Sequence, residues 1–175
     1  QEPQAADALF DALQSGLEQG FLRQDFHLDE LEALRAQLAY RYAAFQERRL
    51  DLDMTPGTPL VFADISLVER AIQNLMDNAL KFTPKGGVVT IKISHSSAAV
   101  EISIHDTGPG IKKDEQALIF ERYRQIKTGG EKEGAGLGLA IVRKIIELHN
   151  ASIRVLSVPE KGTVFSFELP VYTVA

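Results

Sequence analysis

Asn74 and Asn78 stand four residues apart, and Lys81 follows three residues later. At about 100° per residue, all three fall within about 60° of one another on a helix. Val68, Ile72, Leu75, Met76 and Ala79 take the other side, so the polar row faces away from the core. An amide oxygen is a hard, neutral ligand for a small divalent cation, and a lysine one turn on can pair with phosphate. A plain solvated face would also be polar, but such faces favour Glu and Lys, because Asn is a poorer helix former.

Two further islands follow, at Asp106–Ile111 (DTGPGI) and Gly134–Leu139 (GAGLGL). Asp106 offers a carboxylate to an exocyclic amine such as that of adenine. Gly108 and Gly110 let a flat base approach the backbone, although Asp-x-Gly is also ordinary turn punctuation. Gly134, Gly136 and Gly138 lead into a helix whose free amides and positive dipole end suit an anion. The spacing is neither a dinucleotide fingerprint nor a Walker A loop, since no βαβ unit surrounds it and no Gly-Lys-Ser/Thr follows. A flexible loop before a glycine-tolerant helix is the simpler alternative. Together the islands suit a purine, a Mg²⁺ ion and a triphosphate, which reads as an ATP-binding module. Tyr123–Glu133 (YRQIKTGGEKE), polar and aperiodic between two glycine motifs, has the composition of a lid or of a surface loop.

The elements that must position these groups are legible in outline. Residues Asp7–Leu22 carry a helical stripe at Leu9, Leu13 and Leu17, and Phe26-His27-Leu28 alternates like a short strand. A helix is expected from a cap at Asp29 to about Arg49, then an edge strand Leu50–Met54 and a brief strand Leu60–Phe62. Asp64 should cap a helix running to Lys81. Strands follow at Val88–Ser94 and Val100–His105, then a short helix near Glu115–Glu121, a helix Leu137–His149, and strands Ile153–Leu156 and Thr163–Leu169. Strands segregated from three main helices predict a two-layer α/β (α+β) sandwich, with a mixed, mostly antiparallel sheet and the helices on one face.

At 175 residues, with 45% hydrophobic and 25% charged content, the chain is sized for one domain with room for a short appendage. A net charge of −5 gives no basic field for nucleic acid or anionic lipid, and no run reaches the ~20 apolar residues of a membrane span. Zero cysteines exclude disulfides and thiolate metal sites and fit a reducing compartment, so a cytoplasmic setting is expected, either free or as the cytoplasmic part of a membrane-anchored protein.

The runs NLMDNALKFTP, DTGPGI, IFERYRQ and GAGLGLAIV, in that order, resemble the N, G1, F and G2 boxes of sensor histidine kinase catalytic domains. These are Bergerat-fold ATPases, whose relatives include gyrase, mismatch-repair and chaperone ATPases. The likeness extends from about Phe26 to Pro170. It implies that Asn78 coordinates Mg²⁺ with Asn74 assisting, and that Lys81 contacts phosphate. It implies that Asp106 reads the adenine amino group in a pocket shaped by Gly108 and Gly110. Gly134, Gly136 and Gly138 would hold the triphosphate, Phe120 would anchor the lid, and Thr163 would support the adenine-binding carboxylate. Phe82, Ile111, Leu137 and Leu139 fall within the same boxes and are counted with the nucleotide-binding residues.

Hydrolytic relatives carry a glutamate where this chain has Asn74. An amide cannot take a proton from water, so the resemblance implies transfer rather than rapid hydrolysis. The implied acceptor is a histidine on a separate helical hairpin, and the implied next partner is the receiver domain of a response regulator. None of His27, His95, His105 or His149 fits the acceptor box. Residues 1–25 resemble the tail of the family's second dimerisation helix, which leaves 26–175 as the catalytic domain. Arg122 and Arg124 lie near the lid arginine of many relatives, although Gln125 could hold that slot. Two other classes fit parts of the pattern: a degenerate docking module, and a Bergerat ATPase or anti-sigma-type serine kinase. The helical stub and Asn74 speak against the latter pair.

Overall fold

In a computed structural model, the residues described are 25–26, 47–124 and 136–173. Five strands form one sheet: β2 (Arg49–Met54), β4 (Val88–His95), β5 (Ala99–Asp106), β6 (Arg154–Val158) and β7 (Gly162–Pro170), in the order β2-β4-β5-β7-β6. β2 runs parallel to β4 and every other pairing is antiparallel. A two-stranded ribbon pairs β1 (Asp25–Phe26) with β3 (Val61–Phe62). Helices α1 (Ile65–Phe82) and α2 (Gly138–Leu148) pack against each other, and α1 lies against β4 and β5.

Alternation along the strands sorts the two faces. Val89, Ile91 and Ile93 of β4, Val100, Ile102 and Ile104 of β5, and Phe165, Phe167 and Leu169 of β7 are all buried against the helical layer. The far face is polar. There Arg154 of β6 reaches Glu101 of β5 at 2.7 Å and Glu168 of β7 at 3.0 Å. The mixed, mostly antiparallel sandwich expected from the sequence is therefore present.

Two expectations fail. Arg49 does not end a helix. It begins β2 and pairs with Val88, because the Leu50–Met54 alternation extends one residue back into the ladder. Glu47 and Arg48 form a turn and a bend just before it, while the expected helix from Asp29 to Gln46, and all of Asp7–Leu22, lie outside the described residues. The segment around Glu115–Glu121 is a chain of turns, not a helix. Its bonds mix two lengths: Glu115 and Gln116 N–H both donate to the Lys112 carbonyl, and Leu118 and Ile119 N–H to that of Glu115. Ile119 is buried in the core and Phe120 meets Phe165 edge-on at 6.0 Å, so sheet contacts shape the segment more than helix propensity does.

Candidate functional site

α1 begins where Asp64 caps it, the carboxylate accepting from the Leu67 N–H at 3.1 Å. Its buried stripe is Val68, Ala71, Ile72, Leu75, Met76, Ala79 and Leu80. Asn74, Asn78 and Lys81 sit between this stripe and solvent, each partly exposed. Thr83 closes the helix, its hydroxyl donating to the Ala79 carbonyl at 2.7 Å. Asn74 Nδ2 is buried and has no hydrogen-bond partner. A buried donor left unpaired costs about 1–3 kcal/mol, so this amide is suited to a polar occupant that accepts from it.

Asp106 ends β5 opposite Thr163 of β7. Its carboxylate accepts from the Gly108 N–H at 2.8 Å and from the Thr163 backbone N–H. Burial pushes its pKa above the ordinary 3.8, and the two N–H bonds and nearby His105 only partly offset this. The loop after Asp106 is packed backbone against backbone. A Cβ on Gly110, where φ is +71°, would stand 2.2 Å from the Val158 carbonyl oxygen, and one on Gly162 (φ +94°) would stand 2.0 Å from that of Asp106. The resemblance gave Thr163 the support of Asp106. In the fold its backbone does this, while its hydroxyl bonds Ser157 Oγ at 2.8 Å.

The first two islands meet at this turn. A Cβ on Gly108 would lie 3.3 Å from the Phe82 carbonyl oxygen at the end of α1. Lys81 Nζ stands 5.6 Å from the Phe82 ring centroid on the same last turn.

The third island is brought in by the helix pair. His149, the C-cap of α2, accepts from the Asp64 N–H through Nε2 at 3.0 Å, and its Nδ1 bonds the Ile145 carbonyl at 2.7 Å. The end of α2 thus meets the start of α1, and the two helices run in opposite senses. Eleven residues of helix rise about 16 Å, which sets Gly138 level with the part of α1 around Asn74 and Asn78. No side chain caps the α2 N-terminus, Leu137 there is buried, and the first-turn amides point toward that end. Gly136 accepts from the Tyr123 N–H at 3.0 Å, tying the start of the expected lid to the third island; Gly134 and Gln125 lie outside the described residues.

The two arginines are less focused. Arg124 pairs with Glu121 at 3.1 Å and Arg122 lies 5.4 Å from the Tyr123 ring centroid, both on exposed positions. Sequence reasoning missed two residues, Ser157 and Gln116, which brace the Asp106 loop. Ser157 left a faint signal, as a polar residue at an inward-facing position of β6.

The site therefore offers two amide side chains one helical turn apart, a lysine, a helix N-terminus and a half-buried carboxylate beside a backbone turn. A family model described as histidine kinase-, DNA gyrase B-, and HSP90-like ATPase matches residues 63–173. Over 130 residues the chain is 48% identical to the adaptive-response sensory kinase SasA of Rippkaea orientalis, covering 73% of this chain and 33% of that one. The chain spans about a third of the length of the curated relatives it matches. The mycobacterial sensor histidine kinase MprB superposes with a TM-score of 0.73 at 29% identity, over 87% of this chain and 99% of that structure. Full-length ShkA in complex with AMPPNP gives 0.74 at 30% identity, over 88% and 32%. The chain therefore belongs to the histidine kinase-, DNA gyrase B-, and HSP90-like ATPases, and within them it is an ATP-binding catalytic domain of the sensor histidine kinase kind.

Proposed function

We propose that this domain binds Mg²⁺-ATP and donates the γ-phosphoryl group to a histidine on a separate acceptor hairpin. From there the group would pass to the receiver aspartate of a response regulator. Adenine is held against Asp106, whose carboxylate accepts from the exocyclic amine, with the Gly108–Ile111 backbone beside the ring. Asn78, assisted by Asn74, holds the metal, which when bound offsets phosphate charge. Lys81 adds a fixed positive charge, and the amides opening α2 receive the phosphate oxygens. Arg122 or Arg124 approaches the γ-phosphate from the lid. Asn74 leaves the site without a general base for water, which favours transfer over hydrolysis.

The observation that supports this reading is the close approach of Gly108, two residues after Asp106, to the Phe82 carbonyl that ends α1, the helix carrying Asn74, Asn78 and Lys81. The unpaired Asn74 amide supports it, since a phosphate oxygen or a metal-bound water would accept its proton. Residues 1–25 are assigned to the tail of the dimerisation hairpin and 26–175 to the catalytic domain. Among the described residues no helix is long and apolar enough to cross a membrane. We place the domain in the cytoplasm, where ATP and response regulators are available.

Two measurements test the reading. Calorimetry with Mg²⁺ and AMPPNP should give saturable heat for the folded domain and none for Asp106→Asn. Labelled ATP with a family acceptor hairpin added in trans should label the hairpin. Folded protein that gives neither heat nor label would refute the assignment.

A further inference from the structure

We infer that Ser157 and Gln116 are positioning residues for adenine recognition. Neither belongs to the boxes that carry the resemblance, and neither is placed against the nucleotide. This rests on the reading above, in which Asp106 accepts from the adenine amine.

Ser157 sits on β6 directly opposite Thr163, the residue whose backbone N–H donates to Asp106. Its hydroxyl donates to the Gly162 carbonyl at 2.9 Å and accepts from the Ile111 N–H at 2.8 Å. With that proton spent on Gly162, the 2.8 Å contact to Thr163 Oγ1 is filled by the threonine donating. One donor and two lone pairs are then all used. Gln116 does the matching work from the turn segment. Its amide nitrogen gives one hydrogen to the Ile111 carbonyl and the other to the Ser157 carbonyl, each at 2.9 Å.

The consequence is geometric. Ile111, the last residue of the Asp106 loop, has both its N–H and its C=O held by this pair, and Gly162 and Thr163 flank Asp106 from the other side. The loop is also sealed by the Glu160 N–H on the Pro109 carbonyl at 2.6 Å; its start is fastened by Thr107 Oγ1 on the Val88 N–H and by Asp106 on the Gly108 N–H, and its Ile111 end by Ser157 and Gln116. Alanine at 157 leaves the Ile111 N–H and the Thr163 hydroxyl without their acceptor in a half-buried place. The loop can then recover those bonds only by shifting toward water. Such a shift moves the Gly108–Ile111 backbone relative to Asp106, while α1 and the α2 N-terminus stay where they are. Loss should therefore fall on the base and not on the phosphates.

The test is a comparison of two nucleotides on the whole domain. Mg²⁺-AMPPNP and Mg²⁺-GMPPNP share a triphosphate, but guanine presents an acceptor where adenine presents the amine. Wild type should prefer the adenine form. Ser157→Ala should lose about tenfold in affinity for AMPPNP, with little change for GMPPNP, so the preference collapses. Ser157→Thr, which keeps the hydroxyl, should restore it. Gln116→Ala reads the same ratio should the serine variant not fold. Asp106→Asn binding AMPPNP as wild type does would sink the underlying reading. Asp106→Asn failing to bind while Ser157→Ala and Gln116→Ala keep the wild-type preference would overturn the inference alone. Equal losses for both nucleotides would also overturn it, by showing a merely structural role.

Discussion

Asp106 carries a conflict between folding and binding. Burial raises its pKa, so above the ordinary 3.8 the unfolded chain releases a proton that the folded chain still holds. Stability therefore falls as pH rises from 3.8 through the folded value, and at neutral pH this half-buried charge is a standing cost. Asp106→Asn removes that charge, and its amide oxygen can still accept from Gly108 or Thr163. The nucleotide-free variant should melt at the wild-type temperature or higher while binding no adenine nucleotide. Calorimetric scans of both proteins check this, and a clearly lower melting temperature would contradict it. Asn74 shows the same tension, a buried amide nitrogen with no partner among the protein's own groups. Both residues were visible in the sequence because each breaks a local rule: asparagine inside a helix, and a carboxylate where a strand turns inward.

Among elements, the join between α1 and α2 depends on one imidazole. His149 is buried, and desolvation holds its pKa below the ordinary 6.5, with the Ile145 carbonyl and Asp64 pulling the other way. Only the neutral ring can accept from the Asp64 N–H while donating to Ile145. The folded pKa lies below the unfolded one, so this contribution is complete above about pH 6.5 and is lost as pH falls through the folded value. The urea midpoint should drop on acidification across that window, and His149→Gln should flatten that part of the profile; an unchanged profile would count against the assignment. In the sequence His149 was only a residue near a helix end, since nothing local reports a partner 85 positions away. The helices were easier to read. The Asp64 cap and a clean buried stripe defined α1, whereas the turns at Glu115–Glu121 escaped because Gln116 and Ile119 answer to β6 and the core instead of to their neighbours.

For the molecule as a whole, the sheet is both floor and lever. Phe165 is fully buried in β7, pairs in register with Ile104, and meets Phe120 on the segment that leads to the expected lid. Phe165→Ala should cost about 3–5 kcal/mol in chemical unfolding and release the Phe120 turn, seen as faster amide exchange there than elsewhere in the sheet. Uniform exchange would argue that the turn is held by other contacts. Alternation gave away the buried faces of β4, β5 and β7. The parallel pairing of β2 with β4 was hidden, because register between distant strands is set by the tertiary fold and not by either strand's own pattern. The acidic residues Asp51 and Asp53 on this outermost strand discourage another chain from adding to it.

The amide at position 74 has a temporal consequence as well. On the proposed reading, with no basic side chain there to activate water, a captured ATP would leave mainly by departing intact. The loaded domain would then behave as a reservoir refilled by exchange, and the tempo of signalling would be set by how often an acceptor imidazole comes within reach.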